Sequence, residues 1–379
     1  MDRRTLLTSV AVGAAVGVGA GLGTVQLGGR SAITTQGPAA AMINRGRTRE
    51  LLMVTSWPRN MPGLGESADY LAKLIGDMTG GAIRIEVATA GERVPPFGVF
   101  DAVSLGRADM YHAADYYWTG KSPAYPFFTA VPFGLSTQEM LGWIDHGGGQ
   151  ALWNELSAQF NIVPFPAATT GVQMGGWFKR EVRGLDDFRG LKMRIPGMGG
   201  DVIRALGGSA VAIPGGEIFG ALQSGLIDAT EWVGPWNDYQ LGFYRVAPYY
   251  YGPGFHEPGP ILACGINRQV WESLPSDQQA IVRAACHAAN HWSIGAFHWK
   301  SAEYLKILLD DHGVQLRQFP QDVIRRAYEA SNDILATIAN NDGLSRRIYE
   351  SFDTARRTLP SWSNVADGGY FNMRNAAAG

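Results

Sequence analysis

Glu50-Leu-Leu-Met-Val-Thr-Ser-Trp57, Ser67-Ala-Asp-Tyr-Leu-Ala-Lys-Leu-Ile-Gly-Asp-Met78, Ala82-Ile-Arg-Ile-Glu-Val-Ala88 and Phe97-Gly-Val-Phe-Asp-Ala-Val-Ser-Leu105 follow one another with short connections. The first is an apolar run that stops at the turn-forming Pro58-Arg-Asn-Met-Pro-Gly63 and reads as a strand. The second places apolar residues at 70, 71, 74, 75 and 78, the spacing of one helix face. In the third, Ile83, Ile85 and Val87 alternate with Arg84 and Glu86, which is strand periodicity. The fourth is helical again. Strand, helix, strand and helix in this order predict a parallel sheet with crossover helices, hence an α/β fold.

Further along, the same plan returns. Phe100, Ala102, Gly106 and Asp109 recur at identical spacing as Phe219, Ala221, Gly225 and Asp228, with Val103 against Leu222. Each set reads as a helix ending at a Gly suited to a left-handed cap, then an Asp leading into a strand. Two α/β lobes of similar design are expected, over residues 48–165 and 166–249, each completed by parts of 250–379. Ser276 to His312 contains no Pro and a single Gly, Gly295. Unbroken, it would be a helix of about 55 Å, long enough to span both lobes or to pack against another molecule, with Gly295 as the place for a kink. Pro320–Tyr349 is helical in pattern, and Asp367–Gly379 reads as a frayed tail.

With 32 Lys+Arg against 34 Asp+Glu, the chain lacks the basic excess that nucleic acid demands. Its 11 Trp, 14 Tyr and 16 Phe in 379 residues supply enough apolar surface to exclude disorder. Two cysteines exclude a disulfide scaffold; Cys264 and Cys286 read as two buried thiols rather than a bridge. Residues 1–41 carry Arg3-Arg4 ahead of a Gly-rich, uncharged segment that lacks aromatic anchors. This looks like a twin-arginine export signal with its linker, and places the mature protein in the periplasm. Signals for catalysis fail: Gly207-Gly-Ser209-Ala-Val211 lacks the last Gly of a nucleophile elbow, and no phosphate-binding Gly-rich loop is present. His287, His291 and His298 lie on one helical stripe, but no Glu stands between the first two and Trp292 and Trp299 flank them, so a packing role is expected.

Chemistry concentrates between Thr170 and Glu257. Leu191-Lys-Met-Arg-Ile195 alternates and is ended by Pro196-Gly197, which leaves Arg194 at the carboxyl end of a strand. Open α/β sheets bind ligands there, and a guanidinium matches a carboxylate with two parallel hydrogen bonds. Leu226–Thr230 reads as a second strand delivering Glu231 and Trp232 to a similar place. If Arg194 and Glu231 face one small anion, Glu231 repels it unless a cation lies between. Gln173, in the strand-like stretch Val172–Phe178, and Glu257 add oxygen donors, and oxygen-only ligation suits Ca²⁺, Mg²⁺ or Na⁺ rather than zinc.

Tyr116-Tyr-Trp118, Gly147-Gly-Gly149, Thr170-Gly-Val-Gln-Met-Gly-Gly-Trp-Phe178, Gly190-Leu-Lys-Met-Arg194, Ala229-Thr-Glu-Trp-Val-Gly-Pro235 and Val246-Ala-Pro-Tyr-Tyr-Tyr251 resemble one family over nearly the whole mature chain. It is the solute-binding proteins of tripartite ATP-independent periplasmic (TRAP) transporters. The likeness is nearest to the branch that takes 2-oxo or 2-hydroxy acids with a cation. The resemblance implies a periplasmic-binding-protein-like fold, two α/β lobes closing on a ligand cleft, with a long helix, here Ser276–His312, bridging them. It also implies that Arg194 clamps the ligand carboxylate. Gln173, Glu231, the Trp232 carbonyl and Glu257 would hold Na⁺ or Ca²⁺, which touches the ligand too. Tyr116 or Tyr117 would donate to the carboxylate or line the cavity, and Trp57, Trp177 and Phe255 would serve as walls. This chain departs from relatives in the spacing around Tyr116, and in His256, where they carry an aromatic residue, a change that would alter pocket size.

The function expected is a non-enzymatic receptor that captures a small 2-oxo or 2-hydroxy monocarboxylate (pyruvate, 2-oxobutyrate or lactate-like) with a cation. It would deliver the acid to the small and large TRAP membrane subunits. Two alternatives stand beside it: an exported metal-dependent enzyme acting on a carboxylic acid, and a cation-independent receptor for a sugar acid. The length of the long helix leaves a homodimer open.

Overall fold

The computed structural model describes residues 48–378, so the twin-arginine reading lies outside the described residues. Eleven strands are formed there: β1 (Arg49–Thr55), β2 (Ile83–Ala88), β3 (Met110–Ala113), β4 (Ile162–Thr169), β5 (Gly176–Phe178), β6 (Lys192–Arg194), β7 (Ser209–Val211), β8 (Ala229–Thr230), β9 (Tyr249–Tyr251), β10 (Ile261–Asn267) and β11 (Gln315–Arg317). They make two sheets, of order β2-β1-β3-β10-β4 and β11-β9-β5-β8-β6-β7.

In the first sheet β1 is parallel to β2 and β3, as the opening strand–helix–strand pattern predicts. β10 then runs antiparallel between β3 and β4. Side chains alternate across a strand, so Leu51 and Met53 of β1 join one core with Leu71 and Ile75 of helix Leu64–Met78, while Val54 joins the core on the other face. In the second sheet Met193 of β6 enters the core with Phe178 and Val202, and Arg194 points away from it.

The recurring Phe-Ala-Gly-Asp spacing corresponds to one shared device. Helix Val99–Ser104 leads to Gly106 (φ 70°), and helix Gly215–Ser224 ends at Gly225 (φ 79°), both left-handed. The Asp that follows then grips the neighbouring strand at both of its polar groups. Asp109 donates its N–H to the Leu52 carbonyl (3.0 Å), and its carboxylate accepts from the Leu52 N–H (2.6 Å). Asp228 does the same to Lys192, at 2.7 and 3.0 Å. Each Asp fixes where the next strand begins, and therefore what its carboxyl end carries.

One helix runs unbroken over Ser276–Asp310, 35 residues, through Gly295. Its first half packs Val282, Ala285, Cys286 and Ala289 into the core under the first sheet. Its second half packs Phe297 and Leu308 into the core of the second, with the Phe297 ring 5.4 Å from that of Trp236. Cys264 and Cys286 are free, fully buried and in thiol–thiol contact between β10 and this helix. His287, His291 and His298 lie on its exposed side, so the packing role expected of them is not what the described residues show.

Three expectations need correction. Pro320–Tyr349 is two helices, Gln321–Ala339 and Gly343–Thr358, because the Asp342 carboxylate caps the second by accepting from the Ser345 N–H at 2.8 Å. The tail read as frayed is helical: Asn364–Gly368 forms a π turn and Gly369–Ala378 an α-helix continuing from those before it. The strand read over Val172–Phe178 is confined to Gly176–Phe178, and Gln173 sits in the preceding loop. Among the described residues no helix is long and apolar enough to cross a membrane.

Candidate functional site

The site is assembled by backbone hydrogen bonds before any side chain acts. Arg194 pairs with Thr230 across the parallel β6–β8 ladder, and the Glu231 N–H donates to the Arg194 carbonyl at 3.1 Å, so both charged residues leave their strand ends side by side. Gln173 N–H donates to the Glu257 carbonyl (3.1 Å), Gly254 N–H to the Gln173 carbonyl (2.8 Å), and Met174 N–H to the Val233 carbonyl (2.9 Å). Three loops distant in sequence are thereby stitched into one floor. The Gly-rich runs permit this approach: a Cβ on Gly176 would lie 2.4 Å from the Thr230 oxygen, and one on Gly254 2.9 Å from the Gln173 oxygen.

Trp232 is held through the next residue. Asp238 accepts from the Val233 N–H (3.2 Å), the Trp177 indole (2.9 Å) and the Tyr250 hydroxyl (2.8 Å). Because the Trp232–Val233 peptide is planar and trans, fixing its N–H also fixes the direction of the Trp232 carbonyl. In the other lobe Asp115 does similar work. It accepts from Tyr111 and from the Trp153 indole, both at 2.8 Å, and anchors the short turn Asp115–Trp118 that presents Tyr116 and Tyr117.

Trp57, Leu64, Tyr116, Tyr117, Thr170, Gln173, Arg194, Trp232, Val233 and Leu262 line one small cavity. Arg194 is buried to 1% exposure. Its Nη1 donates to the Glu231 carboxylate and, at 3.0 Å, to the Glu231 carbonyl; its Nε donates to the Ile213 carbonyl at 3.1 Å. The guanidinium lies 5.0 Å from the centre of the Trp232 ring. Nη2 has no partner among the described residues. The sequence placed Arg194 and Glu231 facing one small anion, with a cation between that anion and Glu231; in the structure the two side chains are also directly paired, and Nη2 is the part of the fork without a partner.

Glu231, His256 and Glu257 bring one ligand atom each within 4.8 Å of one another, and no other such group of metal-binding side chains occurs among the described residues. Gln173 directs its amide nitrogen to Thr170 Oγ1 at 3.2 Å, which leaves Oε1, like Glu257 Oε2, without a partner among the described residues. Burial pushes the Glu257 carboxyl well above the usual carboxylate range, with the charge of Glu231 adding to the effect; Tyr116 and Arg194 pull it down less. Burial opposes the charge on Arg194, but Glu231 holds its proton more firmly than usual. Burial also pushes the Tyr117 hydroxyl up to about 12 and that of Tyr116 well above the usual phenol range, so both are donors at neutral pH. Buried acceptors without donors, and a carboxyl raised by a second carboxylate, are what a cation would satisfy. The donor set fits one.

Of the residues singled out from the sequence, Gln173, Glu231, Trp232, Glu257, Arg194, Tyr116 and Tyr117 all meet here, and Trp57 is a wall. Trp177 is core, stacked on Tyr250 at 3.9 Å, and Phe255 stacks on Phe133 at 5.3 Å. Sequence reasoning noticed His256 only as a change of size and missed Asp238, Asp115 and Thr170. A buried Asp in a helix carries no periodic signal, and a lone Thr carries none either.

Two α/β sheets bridged by a long helix, with strand ends and loops emptying charged groups into one small cavity, define a ligand-binding protein of the periplasmic-binding class. Residues 53–342 match the family described as bacterial extracellular solute-binding protein, family 7 (DctP), and the chain belongs to it. It is 41% identical over 325 residues, 86% of its length and 89% of the relative's, to a monocarboxylate 2-oxoacid-binding periplasmic protein of Nostoc sp.. Among solved structures it resembles a TRAP periplasmic solute-binding protein of Pseudoalteromonas atlantica with bound sodium and pyruvate. That likeness has a TM-score of 0.84 at 36% identity, over 86% of this chain and 99% of the other. The protein of Colwellia psychrerythraea with bound calcium and pyruvate matches equally, with a TM-score of 0.84 at 36% identity over 86% and 100%.

Proposed function

We propose that this chain is the periplasmic receptor of a TRAP transporter and binds a small 2-oxo or 2-hydroxy monocarboxylate together with a cation. The observation that carries the reading is that Arg194 Nη2, Gln173 Oε1 and Glu257 Oε2 are all buried without a partner among the described residues, Arg194 and Gln173 lining one small cavity. Arg194 Nη2 and the hydroxyls of Tyr116 and Tyr117 take the ligand carboxylate. Gln173, Glu231, the Trp232 carbonyl and Glu257 hold Na⁺ or Ca²⁺, which offsets the two glutamates and leaves positive charge facing the acid and its 2-oxygen. The lobe over residues 48–165 and the lobe over 166–249, each completed from 250–379, close on the ligand as hinged binding proteins do. Closure excludes water and strengthens each charge interaction. An exported, closed receptor then presents its acid to the membrane subunits. No turnover is involved.

Calorimetry on protein stripped with chelator tests this. Pyruvate, lactate and 2-oxobutyrate are titrated with and without added Na⁺ or Ca²⁺. Binding of at least one acid only when a cation is present is expected. Absence of binding by all three with either cation removes the substrate class, and equal binding without any cation removes the co-ligand.

A further inference from the structure

We propose that His256 is a nitrogen ligand of the cation site, and that the site therefore takes a first-row divalent ion of the Zn²⁺ or Co²⁺ kind more tightly than Na⁺ or Ca²⁺. The inference rests on the reading above for where the cation sits. His256 is 2% exposed, and its Nε2 lies 3.3 Å from Glu231 Oε2. That is long for an N–H donating to a carboxylate, whose usual separation is nearer 2.7–2.9 Å. It is close to the edge of a tetrahedron of donors about 2.05 Å from a central ion, which is about 3.3 Å. A third donor stands beside them: Glu257 belongs to the same cluster, and its Oε2 has no partner among the described residues.

The ring is built into this position. Gly199, at the start of helix Gly197–Ala205, lies where a Cβ would come within 3.1 Å of His256 Cβ, so a side chain there would crowd the histidine. On the other side Phe255, stacked on Phe133, fixes the backbone that carries the ring. With oxygen donors alone such a site suits hard ions. An imidazole among two carboxylates adds the donor that zinc, cobalt and nickel prefer, and at any such mixed site these ions outrank the alkaline earths in intrinsic affinity. Ion choice here is thus set by one residue, and the carboxylate-binding half of the cavity is untouched by it.

The test uses the chelator-stripped protein with the metal alone, then with pyruvate. Titration with Co²⁺ should give visible d–d absorption and an affinity at least ten-fold above that for Ca²⁺. In protein labelled with ¹⁵N-histidine, Zn²⁺ should move one imidazole resonance into the metal-bound range. In His256→Gln that resonance is missing and the ratio of Co²⁺ to Ca²⁺ affinity falls at least ten-fold. Should the glutamine variant fold poorly, the labelled wild-type spectrum alone decides. A Co²⁺ affinity at or below that of Ca²⁺, or Zn²⁺ binding that moves no imidazole resonance, overturns the proposal. Failure of pyruvate to bind under any cation would instead strike the receptor reading, because the metal titrations need no acid.

Discussion

Arg194 carries two loads that a single substitution separates from one another. It points Nη2 into the cavity, and it neutralises the fully buried Glu231. Removing one partner of a buried ion pair leaves an uncompensated charge, typically at about 3–5 kcal/mol. Arg194→Ala is therefore expected to lose acid binding and to lower unfolding stability by about that amount, measured by urea titration. Added cation should restore part of the stability, since it takes over the neutralisation of Glu231, yet none of the acid binding. Arg194→Lys keeps the charge but cannot supply Nε to Ile213 and two Nη groups together, so it should fall between. An Arg194→Ala protein as stable as wild type would mean that the buried pair adds nothing net to the fold.

At the scale of elements, what the sequence discloses and what it hides have the same cause. Strand ends are legible, because alternation stops where turn residues begin: Arg194 before Pro196, and Glu231 after Ala229–Thr230. The Asp109 and Asp228 junctions are legible as a repeated spacing. Loops are not, since Gln173 reaches the site only through hydrogen bonds to Gly254 and Glu257 that no local pattern encodes. Nor are Asp115 and Asp238, whose partners come from four other elements. The long helix was legible in extent, but its continuity through Gly295 depended on whether anything needed that position bare. Among the described residues nothing does: a Cβ there meets no atom within 4 Å. Gly295→Ala is expected to stabilise the protein by about 0.5–1 kcal/mol, through helix propensity and a less flexible unfolded chain. A shift of the thermal midpoint downward would overturn this expectation.

Across the whole molecule, both lobes rest on a buried aspartate, and this sets how stability responds to pH. Burial raises Asp115 to about 7 against the donors Tyr111 and Trp153, and raises Asp238 to about 7 against Trp177, Tyr250 and Val233. Unfolded aspartates titrate near 3.9. Below that value both states hold the proton and the contribution to stability is complete. Between about 4 and 7 the unfolded chain releases protons that the native state keeps, so stability declines as pH rises, and levels off above 7. Glu257 acts with the same sign, by burial and the nearby Glu231. His112 opposes them: burial lowers it to about 3, with the Trp57 indole donating to Nδ1 at 2.8 Å, so its contribution is full above about 6.5 and fades toward acid. Three groups outweigh one. Chelator-treated protein should thus unfold at lower urea at pH 8 than at pH 5, and Asp115→Asn or Asp238→Asn should flatten the difference. A bound cation favours the ionised Glu257 and should reduce the decline further. Stability that climbs from pH 5 to 8 without cation would mean that the donors around Asp115 and Asp238 win over burial and keep both carboxylates charged in the fold.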